Sequence, residues 1–356
     1  MNFLKNLGKR KVYDEEIILN TPENITVENT LSKILDKKVK VYTHGDLGGA
    51  TSAAIVTTVF DNVDLEICSN TNINDKINSF VLLKKDYINY DILFIMDVSL
   101  NEGAAKTLEK LHERVPELKI VYLNHQECNL WFNKYSWAVV KHINEESGEK
   151  LDTPTVVLEY LEKNYDLNPN DSMRYLVEKS RLYTTWQWKS IGDMDSYKLN
   201  LLCHYGSMKV FIKNLVRKLE NNLSILNSDD YETALDIEEN YQEYKQSKKD
   251  DIILTKINHG DKCYKVGVIF AERYISQIAD DLSHMHGLHC VIVVDSLRKM
   301  SFRAAAESDI DVLDVAKIFG GKGNKKSAGA EIPVDITNLL VQNLISEFQD
   351  LYYNNF

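Results

Sequence analysis

The feature that most constrains the fold is a strand, a polar loop and a helix that follow one another directly in residues 39–59. Alternating apolar residues at 39–42 predict a short buried strand, and the run at 50–59 predicts a helix. The loop between them contains His44 and Asp46. Ligand sites in open α/β sheets form at the carboxyl ends of the strands, where this loop lies. The sequence therefore predicts a functional loop at the edge of a parallel α/β sheet.

The residue types of this loop fit metal and phosphate chemistry. His44 and Asp46 carry an imidazole and a carboxylate, which bind hard metal ions or transfer protons. The glycines that follow allow the backbone to approach a phosphate. We expect Thr51 and Ser52 at the N-terminus of the helix, where free N–H groups favour anions.

The same pattern of strand and helix repeats further along the chain. Apolar runs of strand length lie at residues 64–67, 92–96 and 119–123, and helical spacing lies at residues 102–115. Asp97 directly follows the second run, and His125 follows the third. Because parallel strands end at the same edge of a sheet, we expect Asp97 and His125 to lie beside His44 and Asp46.

The composition excludes several classes of protein. The chain has 356 residues, enough for two domains, and its net charge of −11 argues against broad contact with duplex nucleic acid. A local basic groove can still hold a short single strand. No run approaches the ~18 apolar residues of a membrane span, and residues 1–12 lack the apolar core of a signal peptide. We therefore expect a cytoplasmic protein with no membrane partner.

The cysteines give no sign of a disulfide framework or a zinc knuckle. They are odd in number, widely spaced and contain no Cys-x-x-Cys pair. They are Cys68, Cys128, Cys203, Cys263 and Cys290.

The second half of the chain predicts a connector and a smaller domain. Residues 206–249 have helical spacing and then many charges, which is typical of a solvated connector. Strands are expected at residues 252–257, 265–270 and 291–295, and helices at 275–283 and 313–318. A further helix is expected near residues 29–35.

The loop around His44 resembles the first motif of the DHH phosphoesterases, a superfamily of RecJ-like and oligoribonuclease-like enzymes. In RecJ-type exonucleases the motif reads roughly Asp-x-Asp-x-Asp-Gly-Ala-Thr-Ser, other members begin with His, and the carboxylates bind manganese. The corresponding residues here are His44-Gly-Asp46-Leu-Gly48-Gly-Ala-Thr-Ser. Asp97 matches the aspartate of the second motif.

Two further motifs of the first domain match with changes. Asn124-His125-Gln126 stands where the family has Asp-His-His. Leu-Tyr-Thr184-Thr-Trp186-Gln-Trp188-Lys resembles a Tyr-Asp-x-Trp-x-Trp stretch whose aspartate is the last metal ligand. The two tryptophans are typical of core or interface packing, which we favour over a base-stacking platform, although both roles are compatible.

The second domain carries two motifs that resemble those of the DHH-associated C-terminal domain. Ser-Phe-Arg303 matches Ser-x-Arg, and the loop at residues 320–329 matches Gly-Gly-Gly-His-x-x-Ala-Gly with Asn324 in place of the substrate-contacting His. Arginine binds phosphate bidentately, and glycine loops with lysines offer N–H groups and positive charge. The resemblance implies these substrate phosphate-binding residues: Arg303, Gly320, Gly321, Lys322, Gly323 and Asn324.

The resemblance implies an α/β architecture with a parallel-sheet DHH domain, a helical connector, a smaller α/β C-terminal domain and an active-site cleft between the domains. The implied parts are an N-terminal extension at residues 1–38, the DHH-like domain at 39–205, the connector at 206–250 and the C-terminal domain at 251–356.

The resemblance also implies an incomplete metal site. His44, Asp46 and Asp97 would hold one manganese or magnesium ion. A second ion would need His125, Asp97 and carboxylates that this chain lacks. The lost positions are Gly48, Asn124 and Thr184. His125 and Gln126 occupy the catalytic positions that bind or polarise the phosphate. We therefore expect a single ion, or none.

Three functions stay open from the sequence. The chain is a DHH-type phosphodiesterase or exonuclease with impaired catalysis on nucleotides or short single-stranded oligonucleotides, a pseudoenzyme that binds nucleic acid, or a structural component that binds a protein partner. A substitute carboxylate from Asp193 or Asp195 also stays open.

Overall fold

The computed structural model describes residues 33–259, 262–285, 287–295 and 298–333, and parts of 338–346. These residues form two compact units that divide between Ala234 and Leu235. The helix expected at residues 29–35 lies partly outside the described residues, and Ile34 and Leu35 belong to a strand instead. In the described part of the chain, no helix is long and apolar enough to cross a bilayer.

The first unit contains a parallel five-stranded sheet, which confirms the predicted α/β class. Its strands are β1 (Ile34–His44), β2 (Phe60–Cys68), β3 (Ile92–Met96), β4 (Lys119–Asn124) and β5 (Ala138–Val140). Their order is β2-β1-β3-β4-β5, and every neighbouring pair is parallel. The side chains of β3 alternate between two cores, with Phe94 on one face and Ile95 on the other. A sheet covered on both faces explains why this strand is apolar throughout.

Helices cover both faces of this sheet. They are α1 (Leu47–Val59), α2 (Ile73–Asn78), α3 (Glu102–Arg114), α4 (Thr153–Tyr165), α5 (Asp171–Thr184), α6 (Gln187–Ile191), α7 (Met194–Cys203) and α8 (Met208–Glu220). Short π and 3₁₀ turns lie at Ser79–Leu83, Asp86–Asn89 and Glu127–Lys134. Helix α8 buries Ile212, Leu215 and Leu219 in the same core as α1. Helix α9 (Ser228–Lys249) contains the division between the two units.

The second unit contains a mixed six-stranded sheet. Its strands are β6 (Ile253–His259), β7 (Lys262–Phe270), β8 (Cys290–Val294), β9 (Lys299–Ala304), β10 (Lys322–Gly323) and β11 (Ser327–Glu331), in the order β10-β11-β9-β8-β7-β6. Only β7 and β8 pair in parallel among these strands. Its helices are α10 (Ile275–Ser283) and α11 (Val312–Lys317).

Candidate active site

The first motif forms a capped helix start at the carboxyl end of β1. Asp46 is the N-cap of α1, and its Oδ1 accepts a hydrogen bond from the Gly49 N–H at 2.9 Å. Its Oδ2 lies 2.8 Å from His44 Nδ1. Because the helix begins at Leu47, Thr51 and Ser52 lie in its second turn and are fully buried. The expectation that they form an N-terminal anion site is therefore wrong.

At two glycine positions of the motif, a Cβ atom would meet different neighbours. A Cβ at position 49 would lie 2.1 Å from the His44 carbonyl oxygen, so only glycine allows this close approach of backbone. A Cβ at Gly48 would lie 2.8 Å from Asp97 Oδ2 and 3.7 Å from Asp46 Oδ1. The carboxylates of Asp46 and Asp97 therefore converge over Gly48.

Asp97 lies directly after β3, is 6% exposed and has a φ of 58°. This left-handed conformation is uncommon for residues other than glycine, asparagine and aspartate. The Thr153 hydroxyl donates a hydrogen bond to Asp97 Oδ1 at 2.6 Å, and His125 Nδ1 lies 2.9 Å from the same hydroxyl. When Asp97 is ionised, Thr153 uses its only proton on Asp97, so His125 donates from Nδ1. The neutral imidazole then has its lone pair on Nε2.

Thr153 is a site residue that the sequence reasoning missed. It is fully buried at the first position of α4, and its contact with Asp97 joins residues 56 positions apart. The preceding Asp152 caps this helix, and Pro154 follows within the first turn. This capping pattern could have predicted the start of the helix, although it could not have predicted the contact between Thr153 and Asp97.

The charges of the site are unevenly balanced. Burial and the charge of Asp46 raise the pKa of Asp97, although His125 and Thr153 oppose the shift. Burial would also raise the pKa of Asp46, but the hydrogen bond and charge of His44 hold that pKa well below its usual value. Burial lowers the pKa of His125, and the nearby carboxylates of Asp97, Asp152 and Asp46 outweigh this effect and raise it. The clustered carboxylates therefore favour the binding of a positively charged group.

A hard divalent cation fits this donor set by chemistry. Carboxylate oxygens and imidazole nitrogens are ligands that manganese and magnesium accept, and Asp46 and Asp97 converge on one place. Within the described ranges, no three His, Cys, Asp or Glu side chains already form a group arranged to hold an ion. His44 and Asp46 are hydrogen-bonded to each other.

The comparisons with known proteins agree with these motifs. No family model matches the chain. Oligoribonuclease NrnB of Bacillus subtilis (strain 168) is 26% identical over 306 residues, which cover 85% of this chain and 74% of that protein. This similarity supports the resemblance of the motifs to those of the DHH phosphoesterases. RecJ of Thermus thermophilus, solved in complex with Mn²⁺, matches this chain with a TM-score of 0.50 and 13% identity over 84% of this chain and 50% of RecJ. That likeness shows the fold.

Two altered motif positions have structural roles of their own. The buried Asn124 donates from Nδ2 to the Val98 carbonyl at 3.1 Å and accepts the Gln126 N–H at 2.8 Å. An aspartate cannot make the first of these bonds while ionised. Gln126 Oε1 accepts from Ser99 Oγ at 3.0 Å, and Asn129 also lies against it. The triad position is therefore part of an amide network that holds the loop.

The two carboxylates that could replace a missing ligand are already bound elsewhere. Asp193 accepts hydrogen bonds from Lys179 at 2.9 Å and from Ser196 at 2.7 Å. Asp195 accepts hydrogen bonds from the Tyr175 hydroxyl at 2.7 Å and from the Tyr231 hydroxyl at 3.0 Å. Thr184, at the last position of α5, has no replacement among these residues.

The motif residues of the second unit lie on β9, in the segment between α11 and β10, on β10, and in the turn before β11. Arg303 is half-buried on β9 and pairs with Ser327 of β11 in the sheet. The Asn324 side chain accepts the N–H groups of Lys326 and Ser327, each at 2.9 Å, so it shapes the turn. Lys326 Nζ donates to the carbonyls of residues 305, 306 and 308. Lys322 and Lys325 are both exposed.

The glycines of this loop are required by the fold. Gly320 has a φ of 69° just after α11. A Cβ at Gly321 would lie 2.4 Å from the Gly329 carbonyl oxygen, and a Cβ at Gly323 would lie 2.4 Å from the Ser327 carbonyl oxygen. Tight packing of backbone therefore accounts for these glycines before any ligand is considered.

Proposed function

We propose that this protein is a DHH-type phosphoesterase that binds nucleotides or short single-stranded oligonucleotides and hydrolyses them with a single divalent ion, manganese or magnesium. The observation that carries the proposal is the convergence of the Asp46 and Asp97 carboxylates over Gly48. His44 and His125 lie at the same edge of the sheet, beside Asp46 and Asp97 respectively. This arrangement gathers hard ligands from three strand ends.

The residues have separate roles in this proposal. His44, Asp46 and Asp97 hold the ion. When bound, it supplies Lewis-acid chemistry, polarising a phosphoryl oxygen and lowering the pKa of water. His125, with its Nδ1 proton directed to Thr153, offers Nε2 to the ion or the phosphate. Gln126 replaces the last histidine of the triad.

The relatives support the substrate class and the ion. The Bacillus subtilis relative is an oligoribonuclease. The Thermus thermophilus RecJ was solved with Mn²⁺. In the second unit, exposed Lys322 and half-buried Arg303 carry positive charge of the kind that binds phosphates.

A second candidate is a protein that binds oligonucleotide without turnover. The specific observation that favours it is Asn124, whose amide donates to a backbone carbonyl in place of a metal-binding carboxylate. Two-metal phosphoesterases stabilise both the attacking and the leaving oxygen, and a single ion provides only part of this stabilisation. Slow turnover or none follows from the same loss.

The deciding experiment incubates the protein with a short oligoribonucleotide and Mn²⁺, with a chelator as the blank and Asp97→Asn as the control. Asparagine tolerates the left-handed backbone at this position, so the fold is kept. Metal-dependent product that disappears in Asp97→Asn supports the phosphoesterase. Binding without product favours the second candidate, and neither binding nor product contradicts both.

A further inference from the structure

A row of four stacked aromatic rings lies directly after the motif position Thr184. The rings follow the order Trp186, Tyr183, Trp188 and Tyr197. Their successive centroids are 6.3, 6.0 and 4.9 Å apart, and their successive interplanar angles are 25°, 15° and 13°. The planes are thus nearly parallel along the whole row, which is the arrangement that a stacked nucleobase extends.

The row passes from the interior of the first unit to its surface. Tyr197 is 9% exposed, Tyr183 and Trp188 are half-buried, and Trp186 is 40% exposed. The buried end fixes the planes, because Tyr183 packs against the core and Tyr197 lies within α7. The indole N–H of Trp188 is buried without an acceptor in the described part of the chain. Ring packing rather than hydrogen bonding therefore sets the position of Trp188.

Trp186, which carries the outermost ring of the row, has a strained backbone conformation. Trp186 has a φ of 62° and a ψ of 12°, in the left-handed region that a bulky side chain rarely adopts. The Trp186 N–H donates to the Tyr183 carbonyl at 3.0 Å, which holds this turn between α5 and α6. Strained backbone of this kind is concentrated at binding sites. Core packing alone would be served by a residue without strain.

The outer end of the row also carries positive charge. Lys189 Nζ lies 4.9 Å from the Trp186 ring centroid and 5.5 Å from the Trp188 centroid. Lys189 is exposed on α6. A cation beside an exposed indole complements a nucleotide, in which a phosphate accompanies each base. An apolar protein partner would gain nothing from this charge.

We propose that the Trp186 end of this row is a stacking subsite for a nucleobase of single-stranded nucleic acid, with Lys189 pairing to the adjacent phosphate. This inference rests on the proposed function and adds the feature of the substrate that is recognised. A base has a π-face whatever its identity, so the subsite accepts any sequence but rejects a phosphodiester chain without bases.

The test compares binding of a short single-stranded oligonucleotide with binding of an abasic oligonucleotide of the same length, in chelator so that no hydrolysis occurs. We expect the wild type to bind the normal strand more tightly and to show quenching of tryptophan fluorescence. Trp186→Ala should weaken this binding about ten-fold and remove the preference for bases. Trp186→Phe should retain most of the affinity.

Ile191→Ala is the matched control, because Ile191 is an exposed aliphatic residue on the same helix and should leave binding unchanged. Circular dichroism of each variant checks folding, and Trp186→Phe keeps the test valid if Trp186→Ala unfolds. Equal binding of both strands by the wild type, or full affinity in Trp186→Ala, overturns the stacking subsite and leaves the proposed function standing. Failure of the wild type to bind either strand in chelator also overturns the stacking subsite, whereas the proposed function is overturned only if binding and product are absent with Mn²⁺ as well.

Discussion

At the residue scale, Gly48 is the position that we expect to limit the number of bound ions. Its missing side chain leaves the Asp97 and Asp46 carboxylates facing each other across the position where the resemblance places a third carboxylate. A side chain here would have to displace Asp97, which is itself held by Thr153. The glycine thus removes a ligand and gives room to the remaining two.

We expect Gly48→Asp to lower the melting temperature in chelator. We also expect Mn²⁺ to raise the melting temperature of this variant by more than it raises that of the wild type. The added Cβ crowds Asp97, at a cost of about 1–3 kcal/mol, and the added charge lies near two carboxylates. Bound Mn²⁺ relieves that repulsion. Gly48→Ala is the matched control, since it crowds Asp97 equally but adds no ligand. Equal Mn²⁺-induced shifts in the two variants would contradict a metal-facing position.

Among the elements, α5 and α7 are joined by an ion pair beside the aromatic row. Lys179 on α5 donates to Asp193, the N-cap residue of α7, and Ser196 donates to the same carboxylate. Burial would raise the pKa of Asp193, but the hydrogen bonds from Ser196 and Lys179 and the charge of Lys179 lower it. A lowered pKa means that this carboxylate stabilises the fold above its unfolded pKa and loses the effect as the pH falls.

Asp193→Asn should therefore destabilise the protein by about 1 kcal/mol at neutral pH. The difference from the wild type should stay constant down to about pH 5 and then narrow as the pH falls through the ordinary aspartate range. Urea unfolding at several pH values measures this difference. Asp166→Asn, at an exposed position, is the control. A difference that widened on acidification would refute the assigned sign.

We expect two neighbouring lysines in the glycine loop of the second unit to have different roles, one in stability and one in binding. Lys326→Ala should lower the free energy of unfolding by about 1–2 kcal/mol, because its ammonium group is bound to three backbone carbonyls. Lys325→Ala, at the neighbouring exposed position, should change stability by less than about 0.5 kcal/mol and weaken oligonucleotide binding instead. Thermal unfolding and binding titrations distinguish them. The opposite assignment of effects would contradict the structure.

For helices and strands, the sequence predicted those elements that have a clear local pattern of apolar residues. The apolar run of β3 and the amphipathic helix α10 were predicted at the residues where they occur. Strand β9 was missed, although Met300, Phe302 and Ala304 alternate inward, because Ser301 and Arg303 between them were assigned to a motif. The start of α1 was missed because two glycines in its first turn are typical of a loop.

The candidate site was predictable where a residue follows a strand and unpredictable where partners are distant. Asp97 and His125 could be placed from their strands, and the structure brings them within 3.4 Å of each other. The contact between Asp97 and Thr153 depends on the packing of α4 against the sheet, which no local pattern encodes. The structural use of Asn124 likewise depends on a carbonyl 26 positions away.

For the whole molecule, the decisive quantity is the number of ions that one chain binds. A ligand that binds only the folded state also stabilises that state. Ion binding can therefore be measured as the heat released or absorbed in a titration and as a rise in the melting temperature. The acidic net charge of −11 attracts cations weakly everywhere, so the site must be distinguished from the surface by saturation and by mutation.

The most direct measurement is calorimetric titration of Mn²⁺ into the metal-free protein and into Asp97→Asn. We expect saturable binding of a single ion per chain in the wild type, and its loss in Asp97→Asn with the fold intact by circular dichroism. Two ions per chain would show that the second site survives without its carboxylates. No saturable binding would contradict the metal site itself.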